Sequence, residues 1–319
     1  RYEPTHRERS TVDDGSVKLN WTNRALDWLT LRANYTFLHR GGDRYDYDPY
    51  DFTYSIDLPG FVAPPTGVPA HTVDALRKYD LAGRSEHKLD LMATIMPRED
   101  MTITASLRGD SNRYDAELGR RGYDTLGATV QWEWQPAPGS NASVYYACDR
   151  SRLRMANINE ILDSGSDPSI GGGTYVDIGR WWADDTQRNH SAGVVLEHAF
   201  GRVRVDASWN YLYARGTTGY RFESPLALAW ADTVSGDGPG GGAFPPMTYR
   251  VNSLGVGVRI PLHERIALRV FDLYERGRIG DWHYLGFGAT HAFDHRVYTD
   301  GGPQGYDANL VGILLDVRL

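Results

Sequence analysis

The sequence predicts an all-β fold, a transmembrane antiparallel up-and-down β-barrel, and three observations carry that prediction. Apolar and polar residues alternate strictly over many segments, the connections between segments alternate between short and long, and aromatic residues gather at the ends of the apolar faces. Composition alone would mislead: 41% hydrophobic residues, 24% charged residues and a mean hydropathy of −0.49 read as a water-soluble chain. A membrane-spanning strand is apolar on one face only, so a barrel averages to a polar composition. No run of about 18 or more apolar residues occurs, which excludes a transmembrane helix. Cys148 is the single cysteine, so neither an intrachain disulfide framework nor a CxxC metal or haem site can form. A net charge of −7 argues against a nucleic-acid partner.

Successive side chains of a strand point to opposite faces, so period-two alternation marks a strand with one apolar face. About eleven such strands are predicted, beginning near Val17, Leu29, Leu89, Met101, Thr125, Ala142, Ala192, Arg202, Ser253, Ile266 and Leu310. Each is expected to have the ~9–11 residues that cross a bilayer at a tilt. In the third, Leu89, Leu91, Ala93 and Ile95 oppose Lys88, Asp90 and Thr94; in the fourth, Met101, Ile103, Ala105 and Leu107 interleave with Thr102, Thr104, Ser106 and Arg108. In the fifth, Leu126, Ala128, Val130, Trp132 and Trp134 oppose Thr125, Thr129, Gln131 and Glu133. Val203, Val205, Ala207, Trp209, Tyr211 and Tyr213 carry the eighth; Leu254, Val256, Val258 and Ile260 carry the ninth. The tenth is irregular: Asp272 falls on the face of Ile266, Leu268 and Val270, which predicts a bulge or strand end there. The last alternates through Val311, Ile313, Leu315, Val317 and Leu319, resembling the C-terminal assembly signal of outer-membrane proteins, with Leu319 in place of the usual aromatic.

Short connections fall at 23–27, 97–100, 135–141, 200–201 and 261–264, and long ones at 39–82, 113–121, 153–188, 215–247 and 277–305. Short turns on one side and long loops on the other match the periplasmic and extracellular sides of the bacterial outer membrane. Trp21, Trp132, Trp134 and Phe200 lie at the short-turn ends of the apolar face; Tyr35, Phe37, Tyr211 and Tyr213 lie at the long-loop ends. Amphipathic rings favour the headgroup level, giving two girdles. An odd strand number cannot close a single-chain bacterial barrel, and an open sheet leaves bare edges in lipid. Residues 1–319 are therefore expected to be one domain, the C-terminal part of a larger barrel whose N-terminal strands and export signal lie upstream.

Candidate chemistry is sparse, and no catalytic residue or metal site is expected. His291 and His295 flank Asp294 without an evident third ligand. Asp43, Asp46, Asp48 and Asp51 offer oxygens without a calcium-loop spacing and read as solvated loop charge. The glycine runs 171–173 and 240–242 do not stand between a strand and a helix, as phosphate binding would require. Asn141, Ala142 and Ser143 match a glycosylation sequon in what reads as a turn. Cys148 shares the apolar face with Val144 and Tyr146 and reads as a buried, inert thiol. The polar face supplies the candidate lumen wall: Arg32, Arg108, Glu133, Arg204, Asp206 and Arg259 foremost, with Asn34, Lys88, Asp90, Gln131 and Asp149. Its mixed signs do not suit a strongly ion-selective pore, and with Gly127, Ser253, Gly255 and Gly257 it would suit a wall packed around another protein.

Several stretches resemble the MtrB/PioB family of outer-membrane barrels: RKYDLAGR at 77–84, PRED at 97–100, SNRYD at 111–115, YER at 274–276, DWHY at 281–284 and the terminal NLVGILLDVRL at 309–319. The likeness extends over most of residues 75–319. It implies a non-enzymatic sheath that houses a periplasmic multihaem c-type cytochrome in its lumen, insulates the haems from lipid and aligns them with an outer-surface cytochrome or other redox partner. Haem would come with the partner, and no cofactor would be bound directly. The competing reading is a diffusion porin or a TonB-dependent transporter barrel, which shares the alternation and the loop parity.

Overall fold

Strand pairing organises all that the computed structural model describes, namely residues 9, 11–43, 76–162, 175–223, 242–282 and 305–317. The strands are β1 (Val12–Leu26), β2 (Leu29–Gly42), β3 (Leu76–Arg77), β4 (Arg84–Arg98), β5 (Met101–Tyr114), β6 (Leu118–Trp134) and β7 (Ser140–Leu162). They continue with β8 (Tyr175–Phe200), β9 (Val203–Glu223), β10 (Gly242–Ala243), β11 (Met247–His263), β12 (Ile266–Gly280) and β13 (Gly305–Val317). All belong to one sheet, in the order β1-β2-β4-β5-β6-β7-β8-β9-β11-β12-β13. The two-residue strands stand aside: β3 pairs with β6 in parallel, and β10 pairs with β9. The eleven long strands coincide with the eleven expected ones and follow one another in up-and-down order, with β1 and β13 at the edges.

The strands are longer than expected. The eleven long ones run from 13 residues in β13 to 26 in β8, and β7 and β9 have 23 and 21. A strand rising ~3.3 Å per residue at a tilt of ~40° gains about 2.5 Å of height per residue, so an apolar band ~25 Å tall needs only about ten. Beyond the band the outward face also turns polar, as at Arg150, Arg152 and Arg154 of β7, and backbone pairing continues without an apolar outward face. The expected long connections therefore shrink. The one placed at 113–121 becomes residues 115–117, and part of 153–188 is the upper halves of β7 and β8.

The tight turns join residues 27–28, 99–100, 135–139, 201–202 and 264–265 at one end of the sheet. Gly201 adopts the left-handed region (φ 62°) that a two-residue hairpin demands and a side chain would oppose. Register shifts sit beside three of these turns, between Asn23 and Leu26, Ile95 and Arg98, and Pro261 and His263.

Packing shows what the apolar face requires. Among the described residues the buried hydrophobic side chains are few and mostly small, Ala82, Ala156 and Ala267 among them. By contrast Leu19, Phe200, Val311, Ile313 and Leu315 are each more than 60% exposed. A water-soluble sheet would bury these against a second layer. Here there is one layer, and lipid takes the place of the other. Register brings the apolar residues together across strands, as in Leu91 beside Leu107, Val130 beside Tyr146 and Val194 beside Trp209. Cys148 lies in this face between Ala128 and His190 and is half-buried, not enclosed in a core.

The expected break at Asp272 is absent. β12 keeps its register from Ala267 to Gly280, and Asp272 stands between Val256 and Val311 with its side chain exposed on the apolar face. Six residues along from Ile266, it lies near mid-band. Strand pairing holds the carboxyl there against its solvation preference. Asp272→Val should raise the stability of the folded barrel by about 1–2 kcal/mol, read from unfolding midpoints in lipid vesicles. An unchanged or lower midpoint would show that this stretch of the face does not meet lipid.

Candidate functional site

The opposite face of the sheet carries the candidate site. Arg32, Arg108, Glu133, Arg204, Asp206 and Arg259 all occupy strand positions whose neighbours in sequence point to the apolar face, so all six lie on the polar face. They do not form one cluster. Arg32 faces Met92 across the β2–β4 pair, and Glu133 accepts a hydrogen bond from Gln131 at 2.7 Å. Arg108 Nε donates to Asp90 Oδ1 at 2.5 Å. Only Arg204, Asp206 and Arg259 come together.

Those three line a cavity of about 990 Å³ at the tight-turn end, with Arg269, Asp316 and Glu197. Register places Arg204, Arg259 and Arg269 side by side on β9, β11 and β12. Arg259 Nε lies 3.4 Å from Asp316 Oδ2, while Arg204 has no carboxylate partner among the described residues. Asp206 rests over Gly257, where a Cβ would fall 2.6 Å from its carboxylate oxygens. Arg269 and Asp316 escaped the sequence reading because Asp272 made β12 look broken and β13 read as a purely apolar strand. Sequence position in an unbroken β12 would have found Arg269.

Two features recur along the polar face. Charges are compensated within the wall: Lys88 Nζ lies 2.8 Å from Glu86 Oε1, and Asn189 donates to Asp149 at 2.8 Å. Tyr306 donates to Glu275 at 2.6 Å, and Ser253 donates to the same carboxylate at 2.8 Å. Second, rings lie across glycines of the neighbouring strand. A Cβ at Gly193 would overlap the Tyr145 ring, and one at Gly312 would overlap Phe271. Tyr145 is held in that position by its hydrogen bond to Asn210, 3.1 Å. The result is a wall of low relief with little net charge.

Above the band the pairing differs. Arg152 and Asp184 form an ion pair on the upper parts of β7 and β8, and the Arg152 hydrogen bonds hold the Asp184 carboxyl below the usual carboxylate range. Asn141, Ala142 and Ser143 open β7 instead of standing in a turn. His291, Asp294 and His295, residues 171–173, Gly240, Gly241, Asp46, Asp48 and Asp51 lie outside the described residues. No group of three or more potential metal ligands occurs among the described residues.

The profile of the outer membrane beta-barrel porin family MtrB/PioB matches residues 1–319. The chain belongs to the MtrB/PioB family. That membership places this MtrB/PioB chain in the outer membrane, and solved structures agree on the fold. It is similar to the copper transporter OprC (10% identity, TM-score 0.51, covering 95% of this chain and 40% of that one). It is similar to BauA, the ferric preacinetobactin receptor of Acinetobacter baumannii (11% identity, TM-score 0.52, 96% and 43%). The Escherichia coli outer membrane transporter YddB matches at 14% identity and a TM-score of 0.50, over 83% and 34%. The MtrB/PioB chain thus spans between 34% and 43% of the length of these proteins, and the likeness concerns the fold alone. No curated protein matches it.

Proposed function

We propose that this MtrB/PioB barrel is a sheath for a multihaem c-type cytochrome seated in its lumen, which carries electrons across the outer membrane. The observation that supports this reading is the low-relief, charge-compensated polar face. An ion-selective pore needs a ring of one sign, and a wide diffusion pore gains nothing from rings laid flat over glycines. A folded partner does gain: it can approach the backbone closely and meet few unpaired charges, Arg32 and Arg204 among them. The cavity around Arg204, Arg259 and Arg269 then forms part of the periplasmic mouth, where a partner enters. In this arrangement the tight turns face the periplasm and the longer connections face outward, and the barrel binds no haem itself.

The test is reconstitution of the full-length protein in liposomes with an electron donor outside and an acceptor dye inside. The barrel alone should pass no electrons. Addition of its multihaem cytochrome during reconstitution should start dye reduction and suppress ion conductance together. Large, steady single-channel currents with the cytochrome present would favour the diffusion porin, and dye reduction by the barrel alone would reveal a cofactor site in the barrel itself.

A further inference from the structure

Three arginines stand side by side on the apolar face at its upper edge: Arg150 on β7, Arg188 on β8 and Arg215 on β9. Register makes them direct cross-strand neighbours, Arg150 opposite Arg188 and Arg188 opposite Arg215. Immediately below them on the same face come Cys148, His190 and Tyr213, and then Tyr146, Ala192 and Tyr211. Counted from the tight-turn ends of their strands, the arginines lie ten to twelve residues up. That is about 25–30 Å of height, the thickness of the apolar band. They are the first charged residues met on this face in the three strands, and all three are exposed.

Like charges directly opposite on neighbouring strands destabilise a sheet, since their Cβ atoms are only about 4.5–5.5 Å apart. Elsewhere on this rim most such charges are neutralised, the exception being Arg250 on β11, which stands opposite Arg278 and over the Tyr213 ring at 5.7 Å. Arg113 pairs with Asp124 at 2.6 Å, Arg154 with the same carboxylate at 3.0 Å, and Arg152 with Asp184. Arg150, Arg188 and Arg215 form no ion pair or side-chain hydrogen bond among the described residues, although Asp184, already paired with Arg152, acts on Arg150 from a distance. The patch adjoins Arg250 on β11, whereas Arg276 and Arg278 on β12 are paired with Asp307 and the corresponding outward positions on β2, β4 and β5 hold His39, His87 and Ser111.

We infer that Arg150, Arg188 and Arg215 form a binding site for the phosphate groups of a phosphorylated glycolipid in the outer leaflet. Guanidinium groups recognise phosphate through charge-assisted, bidentate hydrogen bonds, and three of them span about 10 Å of the sheet. Their height sets the occupant: phosphates lie at the level of the arginines while the acyl chains lie along the aromatic and aliphatic residues beneath. A free anion would gain the first contact and not the second. The assignment to the outer leaflet rests on the outward orientation of the longer connections.

The experiment uses the full-length protein in detergent, with native mass spectrometry and liposome flotation as readouts. Probes are diphosphorylated lipid A, the same glycolipid without phosphate, and phosphatidylcholine vesicles doped with either one. The wild type should retain the diphosphorylated form. The triple variant Arg150→Gln, Arg188→Gln, Arg215→Gln should bind it roughly tenfold or more weakly, while Arg→Lys at the same positions, which keeps the charge and loses the bidentate geometry, should fall between the two. Arg24→Gln with Arg265→Gln, the same kind of charge loss at the opposite rim, should behave as wild type. Heat-modifiable mobility in detergent reports whether each variant is folded. Unchanged binding by a folded triple variant, or equal binding of the phosphate-free glycolipid, overturns the proposal. Full displacement of the glycolipid by inorganic phosphate would assign the patch to a soluble anion instead. Both leaflets of these vesicles are alike, so a reversed orientation leaves this result unchanged and is detected separately by surface labelling.

Discussion

Val194→Arg should prevent or severely weaken assembly, whereas Val195→Arg should leave a folded barrel. The two valines are adjacent in β8 and half-buried to a similar degree, and they differ in the face they occupy. Val194 lies between Val144 and Trp209 on the apolar face, six residues from Phe200 and close to mid-band. A guanidinium there has no partner and no water, and the cost is about 2–4 kcal/mol. Val195 lies between Ser143 and Ser208 on the polar face, where an arginine can reach water and hydroxyl groups. The measurement is denaturant unfolding in lipid vesicles, supported by the yield of heat-modifiable protein in the outer membrane. Equal effects at the two positions would mean that both faces are packed as in a water-soluble core.

Surface labelling of intact cells should be all-or-none. In a Cys148→Ser background, Glu117→Cys in the connection between β5 and β6 should react with a membrane-impermeant maleimide, because that end faces outward. Glu264→Cys in the turn between β11 and β12 should stay unlabelled until the outer membrane is opened. Both side chains are exposed, so reactivity reports the compartment and not burial. The opposite pattern would reverse the orientation, moving the cavity at Arg204 to the outer surface and the arginine patch to the inner leaflet.

Much of this architecture can be read from the sequence because period-two alternation is a direct record of which face meets lipid. Eleven strands, their order of faces and the polar-face position of Arg32, Arg108, Glu133, Arg204, Asp206 and Arg259 follow from it. What alternation does not encode is where a strand ends once it leaves the bilayer. Residues 153–162 of β7 read as loop, since Arg150, Arg152 and Arg154 take over the face that is apolar below, yet the backbone pairing with β8 continues. Cross-strand partners are equally hidden. That Arg108 meets Asp90, or that three arginines line up on β7, β8 and β9, depends on register, which the turns set residue by residue. Asp272 misled for the converse reason: one carboxyl on an apolar face suggests a break, while neighbours on both sides keep the strand regular.

The strict chain order of the long strands has a consequence for how such a protein can change in size. Each long strand takes its principal pairings from its immediate predecessor and successor among the long strands, so a hairpin such as β11–β12 is a self-contained module. Duplicating or deleting one hairpin would alter the perimeter by two strand spacings, about 10 Å, and leave the pairing inside every other hairpin intact. Lineages could therefore retune bore to cargo in discrete steps, through tandem copying of short gene segments instead of coordinated substitution around the whole circumference.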